Sequence, residues 1–223
     1  DMYELLKDYS FSSIYKNRTK TAAVHIDGDY VWFGWENRKS PVKVKRFIRA
    51  GTPEMEALCR LLGAYISEGS SSTPETSVKN GACIASSDAE WLEQLQQDYG
   101  LIFENTVSSI IQSDKGIREL NYANSQGSKT VIYQDNTLKF QMMNALAAVM
   151  FKMLCGQKSL HKRMPDFIFH LPKNYKLVLL ENMVKGDGSR KYGRRYSETY
   201  QKNNFRYHTK STALISGLSF LLT

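Results

Sequence analysis

The sequence predicts an α+β protein built from two pseudo-symmetric αββαββα repeats, of which the second is incomplete. Two apolar runs with helical spacing each end in an acid followed by glycine, at Glu68-Gly69 and at Asp187-Gly188. Strand-like segments and a further helix follow each acid in a similar order, which indicates an internal repeat with a long period. A chain of 223 residues, with 42% hydrophobic residues, is long enough to bury a substantial core.

Composition narrows the possible partners and compartments. The net charge of +8 and the pI near 9.3 favour a polyanionic partner such as nucleic acid. The three cysteines, Cys59, Cys83 and Cys155, lack metal-ligand spacing, so we expect free thiols in a reducing, intracellular compartment. No apolar run approaches the ~18 residues that a membrane helix needs, and no membrane partner is expected.

Turn and cap residues divide the chain into four parts. These are an N-terminal segment at 1–51, a first repeat at 52–156, a linker at 157–171 and a second repeat at 172–223. In the N-terminal segment we expect a short helix and then a hairpin, with AAVHI and YVWFGW joined by Asp27-Gly28-Asp29. A basic stretch, SPVKVKRFIRAG, leads into the first repeat.

In the first repeat, Thr52 caps a helix that has Pro53 at its first position and runs to Glu68. A Ser/Thr-rich turn and the strand VKNGACIAS follow. A capping box at 87–90 then opens a second helix, which Gly100 ends. The remaining predicted elements are strands in TVSSIIQS, IRELNYANS and KTVIYQ and a helix from about 136 to 154.

In the second repeat, an apolar helix ends at Asp187. KYGRRYSETY and NFRYHT are expected to pair as strands around Asn203-Asn204, and Ser211 caps a last helix.

The two acid-ending helices are expected to pack side by side. Small residues would let their backbones approach closely: Gly63, Ala64 and Ser67 in the first helix and Gly186 in the second. Two carboxylates at negative helix ends would repel one another, and a divalent cation with oxygen ligands removes that conflict. In the alternative interpretation, the acids hold no metal, and each is a solvent-exposed residue that precedes the glycine at the end of its helix.

LLGAYISEG and LENMVKGDG resemble the two copies of the motif that names the LAGLIDADG homing endonucleases. The resemblance covers roughly Thr52 to Thr223 and is closest to archaeal and intein-borne members. The second copy departs from the family pattern. It has Asn182 where the family has a packing glycine and Lys185 where the family often has an acid, and these changes could loosen the helix seam.

The resemblance implies a monomer with a saddle of antiparallel sheets over double-stranded DNA and metal-dependent hydrolysis of one phosphodiester in each strand. Glu68 and Asp187, with their neighbours Ser67 and Gly186, would hold Mg²⁺ or Mn²⁺ at the scissile phosphates. The position of Lys162, before Pro165 in LHKRMPDFI, matches that of a lysine near the active centre of intein-borne members. It would stabilise the phosphate or activate the water. The alternative is an ordinary linker lysine.

DNA recognition needs basic and polar side chains along the solvent face of the strands. The densest candidates follow the second motif, with tyrosines between them: Arg190, Lys191, Arg194, Arg195, Lys202 and Arg206. The candidates in the first repeat are Lys79, Asn80, Arg118, Asn121 and Lys129.

Three functional interpretations are open. The first is a site-specific endonuclease, encoded in an intein or intron. The second is a binding protein on the same fold, such as a maturase or a regulator, and the third is a nickase with one damaged centre. Residues 1–51 could be an unrelated arm or part of a rearranged second repeat, and the chain could be a fragment of a longer protein.

Overall fold

The computed structural model describes residues 1–15, 18–77, 79–112, 116–124, 127–189 and 206–222, and the fold is α+β. The helices are α1 (Met2–Leu6), α2 (Pro53–Glu68), α3 (Ala89–Ile102), α4 (Ala145–Cys155), α5 (Lys173–Asp187) and α6 (Thr212–Leu222). Short 3₁₀ turns lie at Ser159–His161 and Asp166–His170. The strands are β1 (Ser10–Tyr15), β2 (Arg18–Asp27), β3 (Tyr30–Trp35), β4 (Lys43–Lys45), β5 (Gly69–Ser72), β6 (Gly81–Ser86), β7 (Phe103–Glu104), β8 (Ser108–Gln112), β9 (Ile117–Asn124), β10 (Gly127–Gln134), β11 (Leu138–Met142), β12 (Gly188–Ser189) and β13 (Arg206–Tyr207).

A four-stranded antiparallel sheet, in the order β5-β6-β11-β8, lies next to α2, α3 and α4. Its inner face carries Ile84, Phe140 and Met142, all fully buried, because alternate residues of a strand point to one face. The other face carries small and polar side chains, with Ser70 opposite Cys83 and Cys83 opposite Gln141. The sheet therefore has one face in the core and one polar face.

The N-terminal segment forms a five-stranded antiparallel sheet in the order β1-β2-β3-β4-β7. The predicted hairpin is present, with Asp27 opposite Tyr30 and Gly28 in the left-handed region at φ +61°. Its last strand, β7, comes from the end of α3, so the N-terminal sheet incorporates residues 103–104.

Three basic residues of the stretch before α2 form ion pairs with acids of this chain. Lys43 Nζ lies 2.6 Å from Asp27, Lys45 Nζ 2.6 Å from Glu54 and Arg46 Nη2 2.9 Å from Asp1. These residues tie the N-terminal segment to itself and to the first turn of α2.

Strands β9 and β10 form a two-stranded ribbon that continues the β8–β11 pair. Leu138 lies opposite Gln112 in the sheet, and Gln134 lies opposite Ile117 at the start of the ribbon. Ile117 and Ile132 are 80% and 65% exposed, so these positions of the ribbon are open to solvent.

Beyond α5, the described residues contain β12 paired with β13 and then α6. Ser211 caps α6 as predicted, since Leu214 N donates to its hydroxyl at 3.2 Å. Of the two strands predicted around Asn203-Asn204, KYGRRYSETY lies outside the described residues. Arg206–Tyr207 of the second forms β13, which pairs with β12.

Four details of the first repeat differ from the sequence prediction. Asp88 and not Ser87 caps α3, because the Asp88 carboxylate accepts from Trp91 N. The Ser/Thr-rich segment after Gly69 is strand β5 and not a turn, because it pairs with β6. Residues 138–142 are a strand and not the start of a helix, because their apolar side chains alternate, and α4 begins after the cap Asn144. Helix α3 continues past Gly100 to Ile102, since a helical glycine is tolerated where no turn is required.

The three cysteines, Cys59, Cys83 and Cys155, are free thiols, as the sequence predicts. Burial raises the pKa of the Cys59 and Cys155 thiols to about 12. None of the helices in the described ranges has the length and apolar character needed to cross a bilayer.

Helices α2 and α5 pack closely and run in the same direction. A Cβ atom at Gly63 would lie 3.0 Å from Asn182 Cβ and would overlap the backbone carbonyl of Leu179. Asn182 itself is buried, accepts a hydrogen bond from Trp91 Nε1 at 2.8 Å and donates to Val178 O at 2.8 Å. Asn182, which stands where the family pattern has a packing glycine, therefore does not separate α2 from α5, because Gly63 on the facing helix leaves room for its side chain.

We predict that Gly63→Ala destabilises the protein by about 3 kcal/mol, because the added methyl meets backbone that cannot move aside. Urea unfolding measures the change. The matched control is Gly100→Ala in α3, where a Cβ meets no atom within 4 Å. We expect the control to stabilise the protein by about 0.5–1 kcal/mol. Equal effects of the two substitutions would contradict close packing at Gly63.

Candidate active site

The two acid-bearing helix ends lie together. A Cβ atom at Gly186 would lie 2.7 Å from Ser67 Cβ and 2.9 Å from Glu68 Cγ. Gly186 directly precedes Asp187, the last residue of α5, and Glu68 is the last residue of α2. The close backbone approach at Gly186 therefore brings the ends of both helices to one place.

Glu68 ends its helix without the usual glycine conformation. Gly69 has an extended backbone, with φ −85° and ψ 150°, and its N–H donates to Tyr65 O. A Cβ at Gly69 would lie 2.6 Å from Tyr65 Cα, so the glycine is required by space and not by a left-handed turn. The chain passes straight from Glu68 into β5 and onto the sheet.

Lys162 lies against the same helix end. Its side chain is only 5% exposed, and its Nζ donates to Tyr65 O at 2.6 Å and to Gly69 O at 3.0 Å. The same nitrogen lies 3.3 Å from the centroid of the Tyr65 ring. A cation at the negative end of α2 offsets the unfavourable placement of Glu68 there.

Lys185 contacts α3. Its Nζ lies 3.1 Å from Asp88 Oδ2 and 5.5 Å from the centroid of the Trp91 ring. The Asp88 carboxylate caps α3 by accepting from Trp91 N, and this bond and the lysine hold the pKa of Asp88 below its usual range. Lys185, which stands where the family pattern often has an acid, thus joins α5 to the start of α3.

A cleft of about 520 Å³ opens beside the end of α2. Its walls include Ser67, Lys162, His208 and Lys210, and no carboxylate contributes to its lining among the described residues. The sequence prediction did not assign His208 and Lys210 to a site, because their spacing gave no signal. A cleft with this charge suits an anion such as a nucleic-acid phosphate.

Mg²⁺ binds through one or two carboxylates and retains several waters. Glu68 would supply one carboxylate at the helix ends, and the side chain of Asp187 lies outside the described part of the structure. In the described part of the chain, no group of three or more His, Cys, Asp or Glu side chains gathers into a metal cage. Any cation bound at the helix ends would therefore depend on the two acids and on further oxygens from water or substrate.

The predicted DNA-contacting residues fall in different places. Lys79 is exposed and lines a shallow cleft of about 140 Å³ on the polar face of the four-stranded sheet, together with Ser70 and Gln141. Asn80 borders the same cleft. In the amide orientation that satisfies its neighbours, it donates to Thr73 O at 3.2 Å and to Ser77 O at 2.8 Å. Asn80 therefore also holds the turn between β5 and β6.

The three ribbon residues do not share one face. Arg118 lies opposite Tyr133, Lys129 opposite Tyr122 and Asn121 opposite Thr130. Because facing residues share a side and side chains alternate along a strand, the positions of Arg118 and Lys129 are on one face and Asn121 is on the other.

The positions after the second motif are mostly outside the described residues, namely Arg190, Lys191, Arg194, Arg195 and Lys202. Arg206 begins β13. Two further polar residues that the sequence prediction did not name, Lys139 and Gln141, lie on the outer side of β11, opposite Ala85 and Cys83. Their alternation with Phe140 and Met142 is the signal that could have found them.

Comparison with known proteins gives distant relatives. No protein-family model matches the chain. It is 24% identical over 180 residues to a DNA polymerase of Thermococcus sp. (strain GE8), and the aligned residues cover 81% of this chain and 8% of the polymerase. It is 26% identical over 171 residues to a DNA polymerase of Thermococcus kodakarensis, and here the alignment covers 75% of this chain and 8% of the polymerase. It is also 28% identical over 135 residues to a DNA gyrase subunit of Mycobacterium gordonae, covering 60% and 20%. The chain thus spans only a small part of the relatives it matches.

We predict that Gly186→Ala destabilises the protein by about 2 kcal/mol, because the methyl would overlap Ser67. Adding Ser67→Gly should recover part of that loss, since the overlap involves Ser67 Cβ and Oγ. Urea unfolding of both single variants and the double variant forms a double-mutant cycle. Strictly additive effects would show that the two helix ends are not in contact.

Proposed function

We propose that the chain is a metal-dependent DNA endonuclease of the LAGLIDADG type, borne by an inserted element such as an intein. The observation that carries the proposal is the close approach of Gly186 to Ser67 and Glu68, which gathers two acid-bearing helix ends. Mg²⁺ bound there would stabilise charge on a phosphate and lower the pKa of a water.

The chain's own residues support each part of the proposed activity. Glu68 and Asp187 would hold the cation. The polar outer face of the four-stranded sheet, with Lys79, Lys139 and Gln141, would track the DNA. The cleft beside Glu68 would receive phosphates at His208 and Lys210. The net charge of +8 suits such a partner.

The pattern of relatives supports an inserted element. The chain is similar to a small part of DNA polymerases and also to part of a DNA gyrase. A polymerase and a gyrase are different proteins. A segment of similar sequence within different hosts is what transfer of one element between genes produces.

We predict that the protein cuts a randomised duplex DNA library at one enriched sequence in the presence of Mg²⁺ and leaves a fixed short 3′ overhang. Sequencing of the cut ends measures the activity and gives the target. Removal of the metal with a chelator should abolish cutting, because the two carboxylates cannot hold a phosphate without a cation.

Glu68→Gln should slow cutting of the enriched target by roughly 100-fold or more, because it removes a charged oxygen ligand but keeps the side-chain shape. The matched control is Glu93→Gln, which removes the same charge from an exposed position of α3. DNA bound and enriched by the wild-type protein without any cut ends would refute the endonuclease and leave a DNA-binding protein. Cuts in one strand only would indicate a nickase.

A further inference from the structure

A buried lysine needs partners, and two carbonyls that accept from Lys162 lie on either side of Glu68, the last residue of α2. Burying an ammonium group is costly unless it is hydrogen-bonded or paired. Lys162 Nζ donates to the carbonyls of Tyr65 and Gly69 and lies over the Tyr65 ring. These partners flank Glu68 in the sequence, at three residues before it and one residue after it.

The end of α2 depends on a cation from elsewhere in the chain. The last carbonyls of a helix lack intrahelical donors, and the last turn of α2 contains no basic residue. Tyr65 O accepts both from Gly69 N and from Lys162 Nζ. Lys162 thus occupies the place where a helix normally has its own C-terminal lysine.

Tyr65 is held from three further directions. It is fully buried, its hydroxyl lies 2.7 Å from Ser71 Oγ and donates to Gly156 O at 3.1 Å, and its ring stacks on Phe151 with centroids 4.4 Å apart. Burial raises the pKa of Tyr65, so the hydroxyl stays protonated and donates. The aromatic surface under Lys162 is therefore fixed.

The backbone of Lys162 is fixed as well. Ser211, the cap of α6, donates from Oγ to Lys162 O at 2.5 Å. The next residue, Arg163, donates from its N–H to Cys155 O at 2.9 Å. A backbone anchored on both sides directs the side chain to the end of α2.

We propose that Lys162 and Tyr65 form a clamp on the C-terminal end of α2, and that Lys162 acts in catalysis as a positioning residue for Glu68 and not as a group that touches the phosphate. The catalytic part rests on the proposed endonuclease activity. The clamp itself is a property of the DNA-free protein. It gives a role to the tyrosine inside the first motif and connects α6, through Ser211, to the first acid.

The first test measures the clamp without DNA. In Lys162→Met, the amide of Gly69 should lose at least 10-fold of its protection from hydrogen exchange. The amide of Phe103 caps α3 by donating to Tyr99 O, and its protection from hydrogen exchange should fall only as far as the loss of global stability requires. Lys210→Met is the matched control, because Lys210 is exposed and lines the same cleft. Unchanged Gly69 protection in Lys162→Met would overturn the clamp.

The second test follows cleavage of the target in single-turnover reactions, at a temperature where all variants are folded. Lys162→Met and Tyr65→Met should each slow cutting 10- to 100-fold, because a small misplacement of Glu68 is costly. Tyr65→Phe keeps the ring and should cut at the wild-type rate. Tyr99→Met, in a second buried tyrosine, should also cut at that rate.

The outcomes separate the two proposals. Slow cutting by Lys162→Met with unchanged Gly69 exchange would show that Lys162 acts on the phosphate, and would overturn the positioning role. Faster Gly69 exchange in a protein whose wild type cuts no DNA would refute the endonuclease and support the clamp. Cutting at the wild-type rate by Lys162→Met would contradict the positioning role.

Discussion

The close parallel approach of α2 and α5 is the constraint on which the rest of the molecule depends. Gly63 lies close to the backbone of Leu179, and Gly186 lies close to the side chains of Ser67 and Glu68, so that the two helix ends come together. Both helix ends are electrically negative, and each carries an acid. The fold therefore concentrates negative charge at one place, which costs stability unless cations compensate for it.

The chain compensates in part with its own lysines. Lys162 binds the end of α2, and Lys185, near the end of α5, pairs with Asp88 at the start of α3. Each lysine links a motif helix to a different part of the chain. In our proposal, a divalent cation and the DNA phosphates complete this arrangement, and the acids are kept at a locally unfavourable position because that position is functional.

Much of the helical framework could be predicted from sequence, since caps and apolar spacing mark α2, α3 and α6 clearly. The start of α4 could not, because LKFQM alternates for a strand while its neighbours keep helical spacing. The GSSS segment has little strand propensity and becomes β5 through its pairing with β6. For the candidate site, the motif predicted the close helix ends, whereas the partners of Asn182 and Lys162 depend on contacts between residues ~90 positions apart, which local patterns do not contain.

The most direct test of the account is to replace Mg²⁺ with Fe²⁺ and ascorbate, so that radicals formed at the bound metal cut the polypeptide nearby, and to map the cuts by mass spectrometry. One cation between the helix ends predicts cuts both near Glu68 and near Asp187 in the same molecule, and loss of both sets in Glu68→Gln. Cuts near one helix end alone, or a pattern that Glu68→Gln leaves unchanged, would contradict a metal held by the paired acids.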